Sequence, residues 1–326
     1  MKDVVCFGSA LIDAFVDTGT QILMHSSRDA IQIPFGEKLL VKNIAFAVGG
    51  GGTNAAVSLA RLGCRTSFVG KVGKGHNSQR VISLLKNEGV DISCVCRKNC
   101  RTGYSIILDC KNRDRIILTF RGGNDTISYA ELRPAKLRAK WFYLSSMVGK
   151  SFACLGQLSV HAKLQGSDVL FNPSSYLARR GKAFLGNILS ASSILVMNKE
   201  EAGLLVGNGQ VPRQLQKLYQ VCKGITIITD GRQGVHVYNG EEVFTGIPRR
   251  NKAVETTGAG DAFASTFLGA LIKKKDIEFA IRAGMANAGS VVEHIGAKEG
   301  LLRWRTLLGR IDAEHASITK KRLVPI

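Results

Sequence analysis

The sequence predicts an α/β fold: a doubly wound, mostly parallel sheet with helices on both faces and a small second β-sheet. Three observations carry this expectation. Short apolar runs alternate with helix-length stretches along most of the chain, the mark of βαβ units and a parallel sheet. Two segments, about 14–46 and 98–123, break that alternation with short β-like runs. Glycine-rich turns stand where apolar runs pass into helices, and folds of this class bind ligands at the carboxyl ends of their strands.

Residues 4–7, 67–69, 141–144, 169–171, 194–197 and 225–229 are apolar runs of strand length and read as buried strands. The helix-like stretches around them are 54–62, 78–87, 151–164, 183–189, 211–222, 261–272 and 277–292. Residues 31–33 alternate briefly. Residues 104–108 and 115–120 flank the polar turn 109–114 and read as a hairpin. The two irregular segments together predict a small antiparallel sheet beside the main one. No Pro- or Ser-rich linker, internal repeat or low-complexity tract is found. One domain is therefore expected over 1–312, with 14–46 and 98–123 inserted. The polar, basic tail 313–326 is expected to fray.

At 326 residues and 45% hydrophobic composition, the chain can bury a large core. No stretch approaches the roughly 18 apolar residues of a membrane helix. Near the N-terminus, Asp3 and Asp13 bracket a short apolar run with no small-residue cleavage site after it. A soluble, cytoplasmic protein with no membrane partner is expected. Of the eight cysteines, Cys94, Cys96 and Cys100 cluster, at a spacing that matches no common zinc pattern. Reduced structural thiols are the expectation. The formal charge of +20 suggests contact with an anion, or a solvated basic surface. The basic residues are dispersed, with only short groups at 249–250, 273–275 and 320–322. That dispersal speaks against nucleic acid as a partner.

The strongest chemical signal is the run Glu255-Thr256-Thr257-Gly258-Ala259-Gly260-Asp261, which passes directly into an apolar helix. Glycines let backbone N–H groups converge on an anion, and the helix dipole adds to that. An aspartate there would sit beside a bound phosphate and could take a proton from a hydroxyl. The plain alternative is an aspartate in the first turn of a helix. Gly49-Gly50-Gly51-Gly52-Thr53-Asn54 is a second glycine-rich turn before a helix. It has neither the Gly-Lys-Ser/Thr ending of a phosphate-binding P-loop nor the spacing of a dinucleotide site. Asn198-Lys199-Glu200-Glu201 follows a predicted strand. It suits either a hydrated Mg²⁺ or an N-cap with acidic first-turn residues. Thr229-Asp230-Gly231-Arg232-Gln233-Gly234 reads as a glycine turn into a β-hairpin.

These elements, in this order, resemble the ribokinase-like or pfkB-type carbohydrate kinase family. The resemblance runs from about residue 4 to 302. One signature is met by Gly49-Gly50-Gly51-Gly52, Asn54, Gly63 and Gly73, the other by Gly258-Ala259-Gly260-Asp261. Agreement of several independent signals outweighs any one of them. The resemblance implies a ribokinase-like fold whose irregular segments form a β-sheet lid. It implies Asp13, Gly49, Gly50 and Asn54 as substrate-binding residues. Asn198 and Glu201 would organise Mg²⁺ and phosphate, the latter indirectly. Thr229, Gly231 and Gly234 would lie along the nucleotide, and Asn287 opens the segment that flanks adenine. Gly258, Ala259 and Gly260 would form the anion hole and Asp261 the catalytic base. Glu255, Gly296 and Ala297 lie where many members bind a monovalent cation such as K⁺, although Glu255 replaces the usual Asp. Thr266 stands where the second signature usually has Ala or Gly.

The implied activity is ATP-dependent phosphorylation of a hydroxyl of a sugar, a pentose or hexose. On the acceptor side the chain departs from the ribose-binding pattern. It has Leu11 in place of an Asn, Gly51 in place of a Lys, and Ser145 or Ser146 in place of a carboxylate. A nucleoside acceptor is the alternative within the fold, favoured by Leu11 and by an aromatic contact from Phe46, unless Phe46 is core. Arg121 could meet a phosphorylated or acidic sugar. A catalytically silent, nucleic-acid-associated member is the alternative from another class, motivated by the charge. A nicotinamide dehydrogenase is a weaker alternative, since no glycine fingerprint follows the first strand. Exposed strand edges in the lid suggest a homodimer.

Overall fold

The structure, a computed structural model, describes residues 1–19, 23–25, 30–32, 36, 38–109, 115–249 and 254–323. In chain order the elements begin with β1 (Lys2–Phe7), β2 (Leu11–Asp17), β3 (Leu23–His25), β4 (Ala30–Gln32), β5 (Asn43–Gly49), α1 (Gly51–Arg61), β6 (Thr66–Val69), β7 (Lys71–Val72) and α2 (His76–Asn87). Next come β8 (Cys96–Arg97), β9 (Gly103–Asp109), β10 (Arg115–Phe120), β11 (Ala139–Ser145), α3 (Lys150–Leu164), β12 (Asp168–Asn172), α4 (Ser175–Ala178) and α5 (Gly181–Ala191). Then follow β13 (Ile194–Asn198), α6 (Lys199–Val206), α7 (Val211–Cys222), β14 (Ile225–Thr229), β15 (Val235–Tyr238), β16 (Glu242–Gly246), α8 (Ala259–Lys274), α9 (Ile277–Val291), α10 (Trp304–Glu314) and β17 (Ile318–Arg322). The apolar runs are β1, β6, β11, β12, β13 and β14, as the sequence predicts.

The main sheet has the order β17-β16-β15-β14-β13-β12-β11-β1-β6. Pairing is parallel from β14 to β6, and β15, β16 and β17 add on antiparallel. The chain steps from β1 out to β6, then returns to β11 on the other side of β1. The order therefore reverses between β6 and β11, around the carboxyl end of β1, which is where open α/β sheets leave a crevice.

Two cores form because both faces of the strands are apolar. In β1, Val4 and Cys6 pack toward α1, α2, α8, α9 and α10, while Val5 and Phe7 pack toward α3, α5, α6 and α7. Phe7, Phe142, Tyr143 and Phe171 are fully buried. Each such ring removed from water contributes roughly 2 kcal/mol. Cys94 and Cys96 belong to the second core, and Cys96 Sγ donates to Glu131 O at 3.3 Å. No three His, Cys, Asp or Glu side chains among the described residues are placed to hold a metal ion. Cys110 lies outside the described residues.

A second sheet, of order β10-β9-β2-β5, stands over the crevice. It is mixed rather than antiparallel: β2 pairs with β9 in parallel, since the two come from distant segments. The β9–β10 hairpin forms with Arg115 opposite Asp109, and its connection, 110–114, lies outside the described residues. Of the alternating residues 31–33, the first two belong to β4, and 33 lies outside the described residues. Phe46 is neither core nor a pocket residue. Its register opposite Ala14 puts it on the face away from Asp13, 45% exposed, with the Arg80 guanidinium 5.9 Å from its ring centroid.

The basic tail also differs from expectation. Rather than fraying, residues 318–322 form β17 on the edge of the main sheet. Lys320 Nζ reaches Glu242 at 2.8 Å and lies 5.3 Å from the Phe244 ring centroid. A lysine-rich strand is a common guard for a sheet edge, and its polarity hides it from a search for apolar runs.

Candidate active site

The crevice holds a cavity of about 360 Å³. Its floor is the set of residues at or just past the strand ends: Ser9 after β1, Ser145 in β11, Asn172 in β12, Asn198 in β13 and Thr229 in β14. Asp13, Ser105 and Thr119 reach it from the small sheet, and Asn54, Gly258, Gly260 and Asp261 from the two glycine turns.

Asp13 is 6% exposed and sits in the middle of β2. Burial pushes its carboxyl up to about 6, against the lowering effects of the Lys298 ammonium and a hydrogen bond from Ser105. Gly49 lies across the sheet from it. A Cβ on Gly49 would overlap the Asp13 carboxylate, so the first glycine turn keeps that carboxylate's place free. Gly50, at φ 102°, then turns the chain into α1.

Asn54, in the first turn of α1, donates from Nδ2 to Asp261 Oδ2 at 2.8 Å. Asp261 lies in the first turn of α8, half-buried at the cavity wall. Burial raises its carboxyl above the usual range, while the Asn54 hydrogen bond and Lys298 pull it down. Gly258 caps α8 at φ 85°, and a Cβ there would lie 2.8 Å from Ala297 Cα. Gly258, Gly260 and Asp261 line the cavity at the start of a long helix, while Ala259 N donates to Thr256 O at 3.3 Å within the turn. Glu255 Oε1 accepts from Thr257 N and Oγ1, both at 2.8 Å, and fixes the turn from behind. One oxygen of the carboxylate that the resemblance would offer to a monovalent cation therefore already has two donors.

On the far side, Asn198 and Glu201 line the cavity and form a capping box at the start of α6. Asn198 Oδ1 accepts from Glu201 N at 2.8 Å, and Asn198 N donates to Glu201 Oε2 at 2.9 Å. Burial, helped by the like charges of Glu200 and Asp261 and opposed by the Asn198 N–H, pushes Glu201 up to about 7. Thr229 lines the cavity, whereas Gly231 and Gly234 form the turn of the β14–β15 hairpin beyond it.

Asn287 is not brought to the cavity. It is fully buried on α9, donates to Thr266 Oγ1 at 2.7 Å and accepts from Leu302 N at 2.8 Å. Its amide ties α9 to α8, which also explains Thr266: the hydroxyl serves a buried partner.

Sequence reasoning missed Lys298. The lysine sits in Gly296-Ala297-Lys298-Glu299-Gly300, which reads as an exposed turn, yet it is 3% exposed. Its Nζ donates to Val48 O at 2.7 Å and to Asn54 Oδ1. The one available signal was a charged residue amid Gly and Ala directly between apolar segments.

The model of the pfkB family carbohydrate kinases matches residues 1–304. An uncharacterized sugar kinase of Archaeoglobus fulgidus is 31% identical over 250 residues, 76% of this chain and 99% of that protein. The 5-dehydro-2-deoxygluconokinase of Bacillus velezensis is 25% identical over 288 residues, 82% of this chain and 86% of that protein. The solved nucleoside kinase of Methanocaldococcus jannaschii, an archaeal member of the ribokinase family, shares the fold. Its TM-score is 0.79 at 23% identity, over 96% of this chain and 99% of that one. Because the family match runs from β1 to the first residue of α10, through both glycine turns, the chain belongs to the pfkB family and is a carbohydrate kinase.

Proposed function

We propose that this kinase transfers the γ-phosphoryl group of ATP to a hydroxyl of a sugar, a pentose or hexose, with Asp261 as the base. Gly258, Ala259 and Gly260 form the anion hole. The observation that carries the reading is the meeting of Asp13, Asn54 and Asp261 in one cavity at the start of a long helix. Asp13 binds acceptor hydroxyls, and Gly49 and Gly50 shape the turn beside it. Asp261 takes the proton of the reacting hydroxyl. The freed oxygen attacks the γ-phosphorus, the bond to the bridging oxygen breaks, and ADP leaves. Backbone N–H groups at the start of α8 meet charge on the transferring group, so positioning and electrostatics supply most of the acceleration.

Asn198 and Glu201 would hold a hydrated Mg²⁺, and Thr229 would contact the nucleotide; all three line the cavity. A carboxyl raised to about 7 by burial is one that a nearby cation would ionise. When bound, the metal would neutralise phosphate charge.

One observation favours an acidic or phosphorylated acceptor within the same reading. Arg121 lines the cavity with Nε on Asp125 at 2.6 Å, and its buried Nη2 has no hydrogen-bond partner among the described residues. A nucleoside acceptor rests on Leu11, which also lines the cavity. We also propose that a second copy covers the outer face of the small sheet, where Phe46, Ile106 and Leu118 stand exposed in one row. Light scattering that finds a monomer at micromolar concentration removes that part.

The test is ADP release from ATP and Mg²⁺ against pentoses, hexoses, sugar phosphates, sugar acids and nucleosides. Turnover on one class is expected, with Asp13→Ala raising the acceptor KM and leaving that for ATP unchanged. Since Asp13 binds hydroxyls best when ionised, acceptor kcat/KM should fall about tenfold per pH unit below about 6. Stability runs the other way. A raised carboxyl stabilises the fold while protonated, and that contribution is lost as pH rises through about 6. If Asp13→Ala instead changes only the KM for ATP, Asp13 is not the acceptor residue.

A further inference from the structure

We propose that Lys298 is a built-in cation of the acceptor site, a positioning residue whose ammonium fixes the Asn54 amide against Asp261 and offsets the charges of Asp13 and Asp261. This rests on the reading of Asp261 as the base.

The argument begins with the amide. An Asn side chain has a donor end and an acceptor end, and only its partners decide which way it points. An ammonium has donors and no acceptor. With Lys298 Nζ on one side, Asn54 must present Oδ1 to it. Nδ2 is then forced toward Asp261 Oδ2, where it donates at 2.8 Å. Without the ammonium the amide loses one of the two partners that fix it, its Oδ1 loses that donor, and Asp261 alone holds Nδ2. Lys298 thus acts on the reacting hydroxyl's partner through one intermediate residue.

The lysine itself is held. Its loop is pinned by Arg61, the last residue of α1, which donates from Nη1 to Lys298 O at 2.7 Å and to Leu301 O at 2.8 Å. Arg61 is in turn fixed by Glu88, with Nε to Oε2 at 3.0 Å and Nη2 to Oε1 at 2.5 Å. The same loop places Ala297 against Gly258, so one segment supports both the anion turn and the base.

The charged groups facing Lys298 are Asp13 on β2, Asp261 on α8, Arg61 on α1 and its neighbour Glu299. Glu88, at the end of α2, reaches it through Arg61, and Glu255, ahead of α8, acts on Asp13. Burial pulls Lys298 down to about 8, while Asp13, Glu299 and Asp261 hold it up. Its ammonium stands among these carboxylates, and in a buried site an unpaired carboxylate would otherwise be costly.

The test is Lys298→Met, which keeps the length and removes the ammonium, assayed beside wild type and Asp261→Asn. The expected result is a kcat lowered by about 10²-fold, the scale of a misplaced catalytic group, with the KM for ATP nearly unchanged. The distinguishing readout is the acid limb of acceptor kcat/KM. Losing a cation that lowers two carboxyls should move that limb to higher pH by about one unit. A uniform loss with the limb in place means a merely structural lysine and overturns the proposal. If Lys298→Met does not fold, Lys298→Met/Asp13→Asn removes the buried pair together and is compared with Asp13→Asn alone, where the remaining acid limb is that of Asp261. An unmoved limb between those two overturns the proposal as well. Retained activity in Asp261→Asn would instead sink the base assignment, whatever Lys298 does.

Discussion

Asp261→Asn is expected to lower kcat by about 10²- to 10⁴-fold, the contribution typical of a positioned general base, with ATP affinity and thermal stability close to wild type. The substitution is nearly isosteric and removes only the ability to accept a proton. Stability should not suffer, because the carboxyl it replaces is raised by burial, so the neutral amide fits that setting at least as well. Asn54 Nδ2 can still donate to the amide oxygen in the place of Oδ2. The measurement is steady-state kinetics beside a melting curve and a nucleotide titration. A variant that binds ATP, melts with wild type and turns over at near the wild-type rate would remove Asp261 from the reaction.

Gly258→Ala is expected to damage both turnover and stability. Gly258 sits at φ 85°, in the region a side chain rarely adopts, which costs of order 1–3 kcal/mol. The added Cβ also meets Ala297, with Cα at 2.8 Å, so either the turn or the 296–300 loop must shift. A shift of the turn takes backbone donors off the phosphate's path, and losing one such donor typically costs about 10²- to 10³-fold in kcat. A shift of the loop would carry Lys298 with it. Both routes reach kcat, and the pH profile separates them, because only the second should move the acid limb. A folded Gly258→Ala protein with wild-type kcat would exclude the turn from the transition state.

Much of the fold was legible because its strands are buried on both faces. Runs such as 169–171 and 225–229 have few other places to go, and the helices between them leave a parallel sheet as the simple solution. Two elements were illegible for opposite reasons. β17 is polar because it lies on an edge, where apolar patterning gives no signal. The sequence predicts that the lid segment opens near 14, yet β2 starts at Leu11 and carries Asp13, and its partners β5 and β9 lie far away in sequence. Phe46 shows the same limit: only its register opposite Ala14 decides which face it takes.

The site divides the same way. Asp261 comes from a local motif with a chemical reason, Asp13 and Asn54 from the family resemblance, and the structure gathers all three in one cavity. Asn287 was assigned from its place in a segment, and its amide is spent between two helices. Asn198 and Glu201 satisfy the cap reading in full while still lining the cavity, so local pattern alone leaves their two roles unseparated. Lys298 could not be assigned in advance. Its role depends on Val48 and Asn54, both more than 240 residues away along the chain, and on the loop that Arg61 pins.

Phosphorus NMR of the wild-type protein with ATP, Mg²⁺ and the acceptor panel tests the phosphoryl-transfer claim at its product. A new phosphomonoester resonance should appear with one acceptor class, equimolar with the ADP formed, and should be absent when Asp261→Asn is used. ADP that accumulates equally with and without acceptor, and no phosphomonoester from any class, would contradict a transfer to sugar in this cavity.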